Sequence, residues 1–412
     1  MSCVVGRMLF CMKMHVVANS LGILMVLGCG VVGAQMAVPP APRVFLVSAE
    51  TLAAQKAKPD AALLALARKE ADNAMKLSAQ SVTVKTKTPP SGDKHDYMSM
   101  ARYWWPNPDT PDHLPYVRHD GKSNPEIEGI QDHEELTRTN ESARALALGW
   151  YLTGEEKYAE HAAMLLRAFY LDKATAMNPN LNYAQYIAGV NTGRGAGVLD
   201  ARSLAMAVDA MGMLAGSKSW TAEDQAGMQT WMSAYYVWLE TSKNGKDEKK
   251  APNNHGSWFA QQETSVAMFL GKTEDVKKVA EFVREQRIPS QFDTAGMQKY
   301  ELVRTNSFSY SAFNLEALTN LAAIVSSTGV DLWTPVKPDA PGILTGIDAL
   351  MPYDKSHKWA HEQIGEGMEG SLCPALVRAA AKTGEKKYVE AQGRFGCKVS
   401  AISLLEGMGS AK

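Results

Sequence analysis

The stretch Pro252-Asn253-Asn254-His255-Gly256-Ser257-Trp258 gathers two amides, an imidazole, a glycine and an indole just before a helical segment. Amides hold an anion and an imidazole binds charge or moves a proton, whereas a core helix has no use for that grouping. A second stretch runs Tyr300-Glu301-Leu302-Val303-Arg304-Thr305-Asn306-Ser307-Phe308-Ser309-Tyr310-Ser311. At a loop-to-helix turn, Arg304 and Tyr310 converge on one cleft, where a guanidinium meets negative charge and a phenol exchanges a proton. The competing reading pairs Arg304 with Glu301 and buries Tyr310 for packing.

A third stretch is Asn191-Thr192-Gly193-Arg194-Gly195-Ala196-Gly197. No strand precedes it and no βαβ unit surrounds it, which excludes dinucleotide binding. It reads as a flexible loop letting Asn191 and Arg194 approach a ligand, or as a plain turn. His357 and His361 would share one face of a helix, yet they lack the glutamate of a zinc-protease motif and a third ligand. They are assigned to surface or packing. His113, His119 and His133 lie in or just after a loop and form no metal site.

These residues must be positioned by helices. Apolar spacings of three and four predict helix over 48–79, then from Ala143 to Leu152, Tyr158 to Tyr170, Ser203 to Leu214, Gln225 to Leu239, Thr264 to Leu270, Val276 to Gln286 and Leu315 to Val325. Strand-like alternation is scarce. From Thr88 to Glu126 the chain is rich in Pro, Gly, Asp and aromatics, the pattern of a long ordered loop. Three phrases repeat a polar turn followed by a helix start: Thr153 to Tyr158, Gly271 to Val276 and Thr383 to Tyr388. Acids in their first turns suit the helix dipole. The expected fold is all-α, an (α/α) toroid of antiparallel helix hairpins with no C-terminal β domain, its loops gathered at one end as a cleft.

The first 34 residues hold Arg7 and Lys13, no acid, and an apolar run around Leu21–Leu27. That is a signal peptide with cleavage after Ala34, leaving 35–412 as one domain that is exported to the periplasm or secreted. Val26-Leu27-Gly28-Cys29 loosely matches a lipidation box, so a lipoprotein is the variant reading. The apolar run is short for a span, and no stable membrane span is expected after cleavage. Cys373 and Cys397 are the two cysteines beyond the leader, either bonded in an oxidising compartment or free and buried. Without the leader's two basic residues, 41 of the chain's 43 remain against 44 acids, a net of about −3. With no basic surface, nucleic acid is excluded as a partner and any polyanion needs a local cluster. No feature of the sequence sets an oligomeric state.

Together the Asn-Asn-His-Gly-Ser-Trp stretch, the Glu-Leu-x-Arg-Thr stretch with its Tyr-Ser, and the loop from Pro90 through Tyr103-Trp104-Trp105-Pro106-Asn107-Pro108 to Asn124-Pro125-Glu126 resemble the alginate-lyase-domain superfamily. The resemblance covers about residues 48 to 370. Within it, the Arg-to-Tyr spacing and the glycine after His255 look more like polysaccharide lyase family 38, the glucuronan and alginate lyases, than like the mannuronate lyases of family 5. The resemblance implies a toroid that cleaves an anionic polysaccharide, a polyuronate, by β-elimination.

Such a reaction removes the proton on C5 beside a carboxylate, so that carboxylate must be neutralised. By the resemblance and by chemistry, Asn254, His255 and Asn191 hydrogen-bond it, while Arg304 supplies charge and lowers the pKa of Tyr310. Tyr310 is then the base, and it can return the proton to the leaving O4 in a syn elimination. His255 as base with Tyr310 as acid is the anti alternative. No metal or other cofactor is required. Trp104, Trp105, Trp258, Tyr103, Asn253, Arg102, Arg118 and Arg194 are expected to line subsites, with core packing as the other reading of the tryptophans. A hydrolase would instead need two flanking carboxylates, for which Asp293 and Glu301 are the candidates. A glycan-binding protein would keep the aromatics without needing Tyr310.

Overall fold

Gly154, Gly271 and Gly384 all take the left-handed conformation that ends one helix and turns the chain into the next, so the three repeated phrases are hairpin turns. In the computed structural model, residues 41–408 are described, apart from 355, 356, 366, 367 and 369. They belong to a single unit, Pro40–Lys412. The expected leader lies outside the described residues.

The helices are α1 (Ala49–Ala57), α2 (Ala61–Ala74), α3 (Asp132–Thr153), α4 (Glu156–Tyr170), α5 (Leu204–Leu214), α6 (Ala222–Thr241), α7 (Lys243–Lys249), α8 (Asn254–Phe269), α9 (Thr273–Phe282), α10 (Ile288–Gln291), α11 (Ser307–Val325), α12 (Ile343–Leu350), α13 (Cys373–Thr383), α14 (Lys386–Arg394) and α15 (Ala401–Met408). The helix expected over 48–79 is two helices. Pro59 lacks an amide hydrogen and disfavours helical geometry at Lys58, and Asp60 then caps α2 by accepting from the amides of Ala62 and Leu63.

Contacts between helices run in a circuit. α2 packs on α3, α3 on α5, α5 on α8, α8 on α11, α11 on α13, α13 on α15, and α15 returns to α2. α4, α9, α12 and α14 flank the circuit as the second members of hairpins. This is the expected (α/α) toroid, with no C-terminal β domain among the described residues. α8 reads as an inner helix because it is buried on every face, with His255 the one residue in it that is not buried. Each fully buried Leu or Phe along these helices contributes about 1.5–3 kcal/mol.

The loop from Thr88 to Glu126 carries three short strands, β1 (Met98–Met100), β2 (Trp104–Trp105) and β3 (Val117–Arg118). β1 pairs in parallel with β4 (Tyr183–Tyr186), and β2 pairs antiparallel with β3, Trp104 opposite Arg118. His357 and His361 are not on a helix but in irregular chain between α12 and α13, with His357 beside Asp354. No helix among the described residues is long and apolar enough to cross a membrane.

Cys373 and Cys397 are disulfide-bonded, tying the start of α13 to the chain just after α14. With the two cysteines 24 positions apart, the bond restricts the unfolded chain by about 3 kcal/mol. Replacing both cysteines by serine should lower the urea midpoint accordingly; an unchanged midpoint would contradict this.

Candidate active site

Gly256 sets the ground for His255. A Cβ on Gly256 would lie 1.9 Å from Arg287 Nη1 and 2.1 Å from the Ala251 carbonyl, so only glycine admits the guanidinium there. Arg287 then donates to the carbonyls of Ala251 and Lys249, at 2.8 and 2.9 Å, and clamps the α7–α8 junction. Burial pushes its pKa down to about 10. Gln291 adds bonds to the carbonyls of Pro252 and Asn253. On this fixed turn, His255 directs Nδ1 to Glu248 Oε1 at 2.6 Å. Its side chain is 21% exposed while that of Glu248 is 4% exposed, so the ring reaches the surface and its partner lies beneath.

Asn254 is fully buried. Its backbone amide and Nδ2 donate to the two oxygens of Glu301, at 2.7 and 2.8 Å. The expected direct contact of Asn254 with substrate is therefore corrected: its amide holds Glu301 and joins the histidine segment to the arginine segment. Burial raises the Glu301 pKa, against the pull of Asn254, Arg304 and His255.

Arg304 pairs with Asp120, not with Glu301. Its Nε and Nη2 donate to the two Asp120 oxygens at 3.1 and 2.9 Å, and the Thr305 hydroxyl adds a bond to the same carboxylate. Burial pushes the Asp120 carboxyl up, but Arg304 outweighs it and holds the pKa at about 2. Asp120 reaches this place because Gly121, at φ +75°, comes so close to Thr305 and Asn306 that a Cβ would meet the Thr305 hydroxyl at 2.5 Å.

The Arg304 guanidinium lies 3.8 Å from the centre of the Tyr310 ring, in the first turn of α11. Tyr310 donates its hydroxyl hydrogen to the Tyr103 oxygen at 2.7 Å. The expected lowering of the Tyr310 pKa is corrected in net direction. Burial raises it and Tyr103 raises it further, with the downward pull of Arg304 smaller than these.

The glycine-rich stretch is not a flexible loop. A Cβ on Gly193 would lie 2.0 Å from the Asn182 carbonyl, one on Gly197 would lie 2.5 Å from Ala184, and one on Gly195 would lie 2.9 Å from Asp247. Its glycines serve close packing against β4 and α7, which fixes Arg194. Arg194 donates to Gln185 Oε1 at 2.8 Å, and burial lowers its pKa. Gln185 has φ +49°, an uncommon conformation for a side-chain-bearing residue, held by Ser99 and Asp200. Asn191 accepts from the Ile187 amide, and its Nδ2 has no partner among the described residues.

Of the other expected site residues, Tyr103, Trp104, Trp105 and Asn253 are half-buried and Arg102 is exposed. Trp105 donates to the Lys122 carbonyl. Arg118 is half-exposed and bonded to Asp120. Trp258 is buried against Phe313 and belongs to the core, which corrects its assignment to a subsite. Asp293 caps a turn through the amides of Ala295 and Met297, and Glu301 is buried on Asn254, so neither is poised as a hydrolase carboxylate. Glu248 and Asp120 were absent from the sequence reading. The Asp120-Gly121 pair is a turn signal inside the aromatic loop, while Glu248, in a run of lysines and acids, carries no signal of its own.

Comparison with known proteins identifies the family and the fold. The alginate lyase family model matches residues 81–360. The crystal structure of an alginate lyase from Bacteroides ovatus is 34% identical, with a TM-score of 0.83 over 90% of this chain and 100% of that one. Alginate lyase A1-III from Sphingomonas species A1 is 15% identical, with a TM-score of 0.55 over 90% and 97% of the two chains. A histidine-to-alanine variant of alginate lyase A1-III complexed with tetrasaccharide is 17% identical, with a TM-score of 0.56 over 85% and 90%. At those identities the last two share the fold. No curated protein matches the chain. The chain therefore belongs to the alginate lyase family of polysaccharide lyases.

Proposed function

We propose that this chain cleaves a 4-linked polyuronate, the mannuronate blocks of alginate or glucuronan, by β-elimination that leaves a 4,5-unsaturated uronate end. The observation that carries the reading is the Arg304 guanidinium 3.8 Å over the Tyr310 ring with the Tyr310 hydroxyl bonded to Tyr103. Titration of that hydroxyl supplies the base for the C5 proton, and the same oxygen returns the proton to O4. C5–H and O4 share a face in mannuronate and glucuronate, so one tyrosine suffices. His255, Asn191 and Arg304 bind the uronate carboxylate and make the C5 proton removable. Arg194, Tyr103, Trp104, Trp105, Asn253, Arg102 and Arg118 bind neighbouring sugar units. The glycine after His255 and the Arg304-to-Tyr310 spacing support a reading nearer to polysaccharide lyase family 38 than to family 5.

Polymannuronate, polyguluronate, glucuronan and glycosaminoglycans incubated with the protein distinguish the outcomes through ultraviolet absorbance of the unsaturated product. New reducing ends without absorbance would mean hydrolysis, and binding without either product would mean a lectin-like role. Residues 1–34 act as an export signal in this reading and 35–412 form the secreted or periplasmic domain. The Cys373–Cys397 bond suits an oxidising compartment. Amino-terminal sequencing of exported protein checks the cut after Ala34.

Tyr103 raises the Tyr310 pKa by its hydrogen bond and its proximity. Removing that hydroxyl in Tyr103→Phe should therefore move the alkaline inflection of kcat/KM to lower pH. An inflection that stays or moves upward would dissociate Tyr103 from the ionisation of Tyr310.

A further inference from the structure

Glu248 is a buried carboxylate with no lysine or arginine bonded to it among the described residues. Its chain neighbour Lys249 is satisfied by Glu240 and Glu263, at 3.0 and 2.8 Å, so Glu248 is not needed to neutralise it. What Glu248 does contact is His255, through a short bond to Nδ1. Burying a carboxylate this deeply is costly unless a charged partner compensates it. The local backbone is arranged to deliver it. A Cβ on Gly245 would lie 1.9 Å from the Leu239 carbonyl, so glycine there allows α7 to fold back on α6. A Cβ on Gly195 would lie 3.2 Å from the Glu248 amide, so glycine there seats α7 against the chain that carries Arg194.

We infer that Glu248 is a positioning residue for the elimination: it holds a proton on His255 Nδ1, orients the ring, and stabilises the imidazolium whose Nε2–H binds the uronate carboxylate. The inference rests on the reading of the site given above. His255 Nε2 has no partner among the described residues and is the ring atom left for substrate. A carboxylate accepts only, so a ring nitrogen facing it must carry hydrogen. With Nδ1–H already donated to Glu248, the bound imidazole must be doubly protonated. Glu248 then supplies the charge that makes a cation at that place favourable. The other charged groups around the pair are Glu301 near His255, and Arg194 and Arg287 near Glu248.

The test has two arms. In the first, nitrogen-15 NMR of the histidine rings, with His255 assigned by its loss in His255→Gln, should show neutral His255 in the wild type as the Nδ1–H tautomer. An Nε2–H tautomer would overturn the proposal. This arm needs no substrate, so it decides the role of Glu248 even if no polyuronate is cleaved, and it needs no variant of Glu248 to fold. In the second arm, Glu248→Gln should lower kcat roughly 100-fold and lose the Nδ1–H preference of the neutral ring, because an amide can donate to Nδ1 as well as accept from it. Glu248→Asp should retain intermediate activity and the Nδ1–H tautomer. A Glu248→Gln enzyme that melts earlier but keeps the wild-type tautomer and kcat would reduce Glu248 to a packing residue and refute the inference.

Discussion

Tyr310→Phe is expected to lower kcat by about 1,000-fold on the polyuronate that the wild type cleaves, while binding of a short oligouronate stays within a few-fold. The substitution removes one oxygen and keeps the rest. The ring remains beneath the Arg304 guanidinium, whose attraction is to its face, and the Asp120 pair that fixes Arg304 makes no contact with the lost hydroxyl. Loss of the Tyr103 bond costs about 1 kcal/mol of stability, too little to unfold the domain. Rates of unsaturated-end formation beside calorimetric affinities separate chemistry from binding. A kcat within tenfold of wild type would take the proton transfer away from Tyr310.

The second large effect is on stability. Lys85 and Asp132 form an ion pair at 2.9 Å in which both side chains are 1% exposed. Lys85 also donates to the carbonyls of Val82 and Lys94, and Asp132 accepts from the Met98 amide, so the pair holds the base of the aromatic loop to the start of α3. Lys85→Ala leaves a buried carboxylate unpaired and should cost about 3–5 kcal/mol. Burial already raises the Asp132 pKa to about 6 against the pull of Lys85. Without Lys85 it rises further above the unfolded value, so the folded state binds the extra proton. The deficit is then greatest above that raised pKa and shrinks as pH falls toward about 6, where Asp132 becomes protonated even beside Lys85. Lys85→Met combined with Asp132→Leu should recover most of the loss, since two apolar side chains need no partner. Urea unfolding at pH 7 and pH 5 measures both effects, and a loss under about 1 kcal/mol for Lys85→Ala would show that water reaches Asp132.

The toroid was legible because its hairpins announce themselves locally. Gly154, Gly271 and Gly384 sit at polar turns between apolar runs, and a left-handed helix end requires little more than such a glycine. The break at Pro59 was missed because apolar spacing continued across it. In the site, His255, Arg304 and Tyr310 stood out by type and by neighbours. Their partners did not, since Asp120 lies far from Arg304 in sequence and Glu248 looks like any acid in a solvated run. Asn254 and Trp258 had the right types beside the right histidine, yet the helical turn that leaves His255 at the cleft buries them both. A motif names the stretch of chain, and the helix phase decides which of its members face outward.

The contact of α15 with α2, with the Ala401 amide bonded to Glu70, joins the two ends of the described chain. A ribosome releases α2 well before α15, so the circle has a seam that stays unjoined until α15 has been made. Until then α2 and its neighbours expose an apolar edge meant for a helix not yet synthesised. Closure of the ring therefore waits on α15, after every residue of the candidate site has already left the ribosome.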